Sequence, residues 1–158
     1  MNRRNLLWRG ILVFGLVTIS PSGPRAAMRG TVADAKAMVT KAIDLYKAQG
    51  KDSFGIMNRG KATGFRQGDI YIFVFTTGPS AKVVVQATDP KRIGVDVAGI
   101  TDSSGKPFGK EMLEKATAEG AWVNYAAINP VTRREEQKSS WVVLYDGFIF
   151  GSGVYKAP

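Results

Sequence analysis

A chain of 158 residues with 44% apolar and 22% charged residues has the size and composition of one folded domain with one core, not of a disordered segment. It contains neither cysteine nor histidine. That excludes thiolate nucleophiles, disulfides, Cys/His zinc sites, histidine-ligated haem and every His-dependent triad, and leaves chemistry to carboxylates, Lys, Tyr or Ser.

The first 27 residues differ from the rest. Arg3, Arg4 and Arg9 precede an apolar run from Gly10 to Ile19, and Ser20-Pro-Ser-Gly-Pro-Arg-Ala-Ala27 follows. This three-part pattern predicts a secretory signal peptide over 1–27, with a mature domain from 28 to 158. The apolar run of 10 residues is half of what a spanning helix needs, about 20, so it reads as an export signal and not an anchor. Arg3-Arg4-Asn5-Leu6-Leu7 is also similar to a twin-arginine signal. Four of the 22 cations and none of the 13 acids fall in this segment, so the remainder carries 18 against 13, a net +5 and not the +9 of the whole chain. Those cations alternate with acids, as in Lys110-Glu111 and Arg133-Arg134-Glu135-Glu136, and form no basic face interleaved with aromatics. No nucleic acid is expected as a partner.

From Thr31 to Gly50, Val32, Ala35, Val39, Ala42, Ile43 and Tyr46 keep helical spacing. Thr31-Val-Ala-Asp34 is a capping-type start and Gly50 a stop, which predicts a long amphipathic helix. A shorter helical or irregular segment runs through Ser53 to Arg59, and the stretch from Gly60 to Gly68 is too rich in glycine to continue it. Asp69-Ile-Tyr-Ile-Phe-Val-Phe-Thr76 reads as a strand covered on both faces. After the turn at Thr77-Gly-Pro-Ser80, Lys82 to Ala87 returns as its hairpin partner. Pro107 to Glu119 has one apolar helical face of Phe108, Met112, Leu113 and Ala116. From Gly120 to Tyr155, three aromatic and β-branched runs are split by Asn129-Pro130 with a charged turn and by Asp146-Gly147, which predicts three antiparallel strands. The expected fold is α+β: a five-stranded antiparallel sheet made of a hairpin and a meander joined by a helix-bearing crossover, with helices over one face.

These residues resemble the single Cache domain family, type 2, a PAS-like extracytoplasmic sensor module. The resemblance spans about Thr31 to Tyr155. It is carried by Ala35-Lys-Ala-Met-Val-Thr-Lys-Ala-Ile-Asp44 with Gly50-Lys51, Gly68-Asp-Ile-Tyr-Ile-Phe-Val-Phe75, Ile93-Gly94, Asp102 with Gly105-Lys106, Trp122-Val-Asn-Tyr125, Asn129-Pro130, Lys138 and Gly151-Ser-Gly-Val-Tyr155. It implies a non-enzymatic domain that binds a small organic acid or an amino-acid-like metabolite in a pocket on the sheet. Relatives pass the signal through a membrane helix to a kinase or methyl-accepting module. Two departures stand out. Many relatives end the hairpin with Ala-His-Pro, where this chain reads Gln86-Ala-Thr-Asp-Pro90, and the chain stops three residues after Tyr155. A soluble periplasmic form acting with a separate membrane sensor or transporter is therefore expected, with no stable membrane span once the signal is removed.

Lys138 is the leading candidate for ligand contact. An ammonium flanked by apolar surface keeps its charge at least cost when a carboxylate or phosphate neutralises it, although exposure at the strand's first turn or pairing with Glu135 or Glu136 would serve as well. Tyr71, Tyr125 and Tyr155 offer a ring and a hydroxyl on strands, which suits either a pocket or ordinary packing. Trp122 and Phe73 are candidate apolar walls, and Gln86, beside the missing histidine, can donate and accept. Gly151-Ser152-Gly153 lacks the spacing of a nucleophile loop and reads as close-packed strand. Asp96 and Asp102 are too few for a metal cage and read as turn residues. No cofactor and no metal are expected. The competing reading is an interaction or structural protein whose pocket is filled by its own side chains.

Overall fold

The computed structural model describes residues 29–156, so the export signal expected over 1–27 lies outside the described residues. Helix α1 (Val32–Gln49) begins with a reciprocal capping box: the Thr31 hydroxyl accepts from the Asp34 backbone and the Asp34 carboxylate accepts from the Thr31 N–H. It ends at Gly50, whose φ of 56° is a conformation that side-chain-bearing residues rarely adopt. Ala35, Met38, Val39, Ala42 and Tyr46 are its buried stripe. A one-turn connection leads to the short helix α2 (Ser53–Asn58).

The strand expected over Asp69–Thr76 is divided. β2 (Ile70–Tyr71) pairs with β1 (Arg66–Gln67) in a small separate ladder, while β3 (Phe73–Thr76) joins the main sheet. The break falls at Ile72, whose N–H is drawn to the Phe65 carbonyl at 3.1 Å. β4 (Val83–Gln86), β5 (Ala121–Ile128), β6 (Glu135–Tyr145) and β7 (Phe148–Tyr155) complete a five-stranded antiparallel sheet in the order β4-β3-β7-β6-β5. Hairpin and meander thus meet through β3 and β7, and no helix among the described residues is long and apolar enough to cross a membrane.

The expectation of helices over one face needs correction. Tyr46 of α1 packs edge-on against Phe150 at 5.5 Å, on the same face as Trp141 and Trp122. Helix α3 (Phe108–Lys115) lies on the other face, where Phe108 stacks flat on Tyr125 at 4.0 Å between ring centroids. Strand alternation assigns these faces, because Tyr125, Lys138 and Tyr155 are directly opposite one another across β5, β6 and β7. Helix α3 is also shorter than Pro107–Glu119, since Ala116 is already extended and Thr117 bridges to Val143.

The crossover between β4 and α3 occupies both rims of the sheet. At the β4 edge the Val83 N–H donates to Val95 and the Val97 N–H to Ala81. At the β5 edge the Asp102 carboxylate accepts from the Ala126 N–H at 3.1 Å, and Lys106 donates to the Asn124 carbonyl. Asp102 also takes the N–H groups of Ser104 and Lys106, and its hydrogen bonds, that from the Ser104 hydroxyl foremost, hold its carboxyl down at about 2. Asp96 bridges to Lys82 at the β4 edge and pairs with its ammonium at 3.2 Å, while Asp102 accepts the N–H groups of its own turn.

Where the described chain begins and ends, a polar knot ties the elements together. Arg29 pairs with Glu136 at 2.8 Å and also donates to the Lys156 carbonyl. Asn129 donates to Glu136, and buried Asp69 accepts from the Gly30 N–H. The Arg29 hydrogen bond, followed by that from Thr132, holds the Glu136 carboxyl down at about 2.

Candidate functional site

The face covered by α3 and the crossover carries the candidate site. Lys138 lies in β6 and is 1% exposed, so the reading that placed it in solvent does not hold. Glu136 is engaged by Arg29, and Lys138 forms no ion pair among the described residues. Its Nζ stands over the Tyr71 ring at 3.7 Å and near the Tyr155 ring at 4.9 Å. Such cation–π contacts stabilise a desolvated ammonium, by about 2 kcal/mol in favourable cases. The Tyr125 and Tyr71 hydroxyls are close enough to act on the charge, yet neither is placed as a hydrogen-bond acceptor, so the ammonium is left without one. Burial works against it, but the attraction of the Tyr125 and Tyr71 oxygens outweighs that and raises its pKa above the ordinary lysine value. The same coupling acidifies Tyr71, where the nearby cations overcome the opposing effect of burial. Tyr125 and Tyr155 move the other way, raised chiefly by burial.

The three tyrosines converge around this cation. The Tyr71 and Tyr155 hydroxyls are 3.4 Å apart, Tyr155 donates to the Ile128 carbonyl, and the Tyr125 hydroxyl meets that of Ser140 at 2.9 Å. Phe73 lies over Gly151, where any Cβ would collide with its ring. The glycine-rich strand is therefore a packing device, as its spacing suggests.

Two hollows open on this face. An outer cleft of about 570 Å³ is bounded by Tyr71, Gln86, Thr88, Arg92, Thr101 and Arg133, among others. An inner hollow of about 40 Å³ lies among Phe73, Phe75, Ile100, Met112 and Tyr125. Tyr71, Gln86, Arg92, Phe108 and Ala127 border both. Lys138 lines neither, because the Tyr71 ring covers it.

Of the candidates named from the sequence, the structure brings Lys138, Tyr71, Tyr125, Tyr155, Phe73 and Gln86 together on this face. Trp122 is not among them. It is paired directly with Trp141 on the α1 face, their rings 5.3 Å apart, so it cannot wall this pocket. Counting strand alternation from Tyr125 would have shown this, since residues three apart point to opposite faces. Arg92 and Phe108 also border both hollows, and the stretch that carries Arg92 has no periodicity that reveals where it folds back.

An antiparallel sheet with a long N-terminal helix on one face and a roofed hollow on the other is an α+β architecture of the Cache type. Solved structures share this fold. They include a periplasmic sensor domain of a chemotaxis protein (TM-score 0.65, 22% identity, covering 79% of this chain and 94% of that one) and a methyl-accepting chemotaxis protein from Vibrio parahaemolyticus RIMD 2210633 (0.61, 15%, 78% and 86%). A third is a Cache chemosensory domain described for carboxylic acid recognition (0.55, 23%, 77% and 86%). Among curated protein sequences, none matches this chain. The family model "Single Cache domain 2" matches residues 25–156, and the chain belongs to that family. Cache sensor domains are non-catalytic ligand-binding modules.

Proposed function

We propose that this domain is a periplasmic sensor for a small organic acid or amino-acid-like metabolite, exported by a signal over 1–27 and acting with a separate membrane sensor or transporter. The observation that carries the reading is Lys138: a buried ammonium with no counter-charge and no acceptor among the described residues, set beneath a roofed hollow. A fold does not retain such a charge for stability, because an apolar residue of similar volume would be as good or better. Its field is directed at the ligand through the acidified Tyr71 hydroxyl, with Tyr125, Tyr155, Gln86 and Phe73 completing the surroundings. The carboxylic acid recognition named for one structural relative supports the same ligand class.

Thermal-shift titration with short carboxylic and amino acids tests this. A true ligand stabilises by RT ln(1 + [L]/Kd), about 2.7 kcal/mol at 100-fold over Kd. Lys138→Met should keep the fold and weaken the ligand three- to five-fold. A wild-type protein that no such compound stabilises, or a variant that binds as tightly as wild type, rules the reading out. One observation favours a second reading: the Tyr71 ring fills the space over Lys138, as in a pocket satisfied by its own side chains. That interaction-protein reading requires the absence of any ligand response.

A further inference from the structure

A turn, Asn129-Pro-Val-Thr-Arg-Arg134, joins β5 to β6 beside the polar knot. Buried Asn129 fixes its shape. The side-chain carbonyl accepts from the Val131 and Thr132 N–H groups, and the backbone bonds to Arg133 and Arg134. A turn so firmly held presents an unusual surface. Ile128 is 59% exposed and Val131 38%, while Val32, at the start of α1 by the same knot, is 52% exposed. Half of the six large apolar side chains left exposed among the described residues thus lie at this one end.

Charge gathers there as well. Arg133, Arg134 and Lys156 are exposed and form no ion pair among the described residues, whereas Lys47, Lys82, Lys106, Lys110 and Lys115 each pair with an acid. Of the nearby acids, Glu136 is taken by Arg29 and Thr132, which leaves Glu135 against three cations. Arg133 also has a φ of 62°, in the region that favours glycine. Asp146, the other such non-glycine among the described residues, is held by the Tyr46 hydroxyl. The Arg133 side chain has no hydrogen bond or ion pair among the described residues, so nothing inside the fold offsets its strained backbone.

We infer that this turn is a membrane-contact tip: Ile128 and Val131 enter the headgroup layer of an anionic bilayer, and Arg133, Arg134 and Lys156 meet its phosphates. Attachment to a bilayer surface grows with the apolar area inserted and with the attraction between basic residues and anionic lipid, and this end supplies both. Each basic residue near such a surface adds about five-fold in affinity, so three give a reversible contact and not an anchor. The planar guanidinium fork suits phosphate oxygens in particular. Ile128, Pro130 and Arg133 also edge the outer cleft, which places its mouth next to the tip. The inference holds whichever ligand the pocket takes, and it would keep the domain beside the membrane-bound partner proposed above.

The chain has no cysteine, so one introduced thiol carries a single environment-sensitive fluorophore. Full-length Val131→Cys labelled in this way should brighten and shift to the blue with vesicles of equal parts phosphatidylglycerol and phosphatidylcholine. Tyr145→Cys, at the opposite end of β6, should not respond. Vesicles of phosphatidylcholine alone should bind at least ten-fold more weakly, as should the mixed vesicles at about 1 M salt, where the Debye length is about 3 Å. In the Val131→Cys chain, Arg133→Asn with Arg134→Gln should weaken the response about 25-fold, and Asn tolerates the backbone at 133. The local label separates this tip from the apolar run within 1–27, whose attachment to a bilayer would leave residue 131 in water. An equal response from the double variant, from phosphatidylcholine alone or from the label at 145 overturns the inference. A label at 131 that no vesicle moves also overturns it, and leaves the tip to a protein partner.

Discussion

The two faces of the sheet use aromatic residues for opposite ends. On the α1 face, Tyr46, Phe148 and Phe150 interlock at ring separations of 5.4 and 5.5 Å, and the Tyr46 hydroxyl is satisfied by Asp146 at 2.7 Å. On the α3 face, Tyr71, Tyr125 and Tyr155 surround a charge without an acceptor and leave space at their edge. The first arrangement is a close-packed core, in which the Ser152 hydroxyl, opposite Trp141, is the buried polar group left without a partner among the described residues. The second is unfinished in the way binding sites are: its polar groups converge on one spot and are not all satisfied by the fold.

The largest way to break that contrast is at Phe150, which is fully buried. Phe150→Ala should cost about 3–5 kcal/mol in urea unfolding, the range for a buried aromatic truncated to Ala. A loss under about 1 kcal/mol would mean that the α1 face is not a packed core. Next comes the acid limb of stability. Glu136 is held at about 2 against an ordinary value of 4.5, so its stabilising contribution is complete above 4.5 and disappears as the pH falls toward 2. Glu136→Gln should lower stability at pH 7 by about 1–2 kcal/mol and flatten the pH profile between those limits. An unchanged profile would detach the polar knot from stability. The smallest effect is at Trp122. If the faces are as distinct as the register makes them, Trp122→Ala changes ligand affinity less than two-fold, and a ten-fold loss would put the site on the wrong face.

Much of this was legible in the sequence. The capping box at Thr31, the glycine stop at 50, the hairpin and the Asp146-Gly147 turn are local signals, and they place α1, β3, β4 and the meander. Lys138 was also legible, because a cation on an otherwise apolar strand is conspicuous. The rest depends on distant contacts. The break at Ile72 is imposed by the Phe65 carbonyl, and α3 reaches the second face because the crossover is pinned along both rims. Nothing local in Asp89-Pro-Lys-Arg92 reveals that its last residue borders a pocket. The burial of Lys138 behind Tyr71 likewise depends on the register of three strands.

That pinned crossover has a consequence for how molecules of this domain meet one another. A sheet's outer strand is where another chain adds itself, hydrogen bond by hydrogen bond. Here Asp102 and Lys106 occupy part of one rim and Val95 and Val97 part of the other, so the same segment that roofs the pocket also guards against stacking into fibres. Its hydrogen bonds hold the Asp102 carboxyl down at about 2, so that this contact to β5 keeps its charge well below neutral pH.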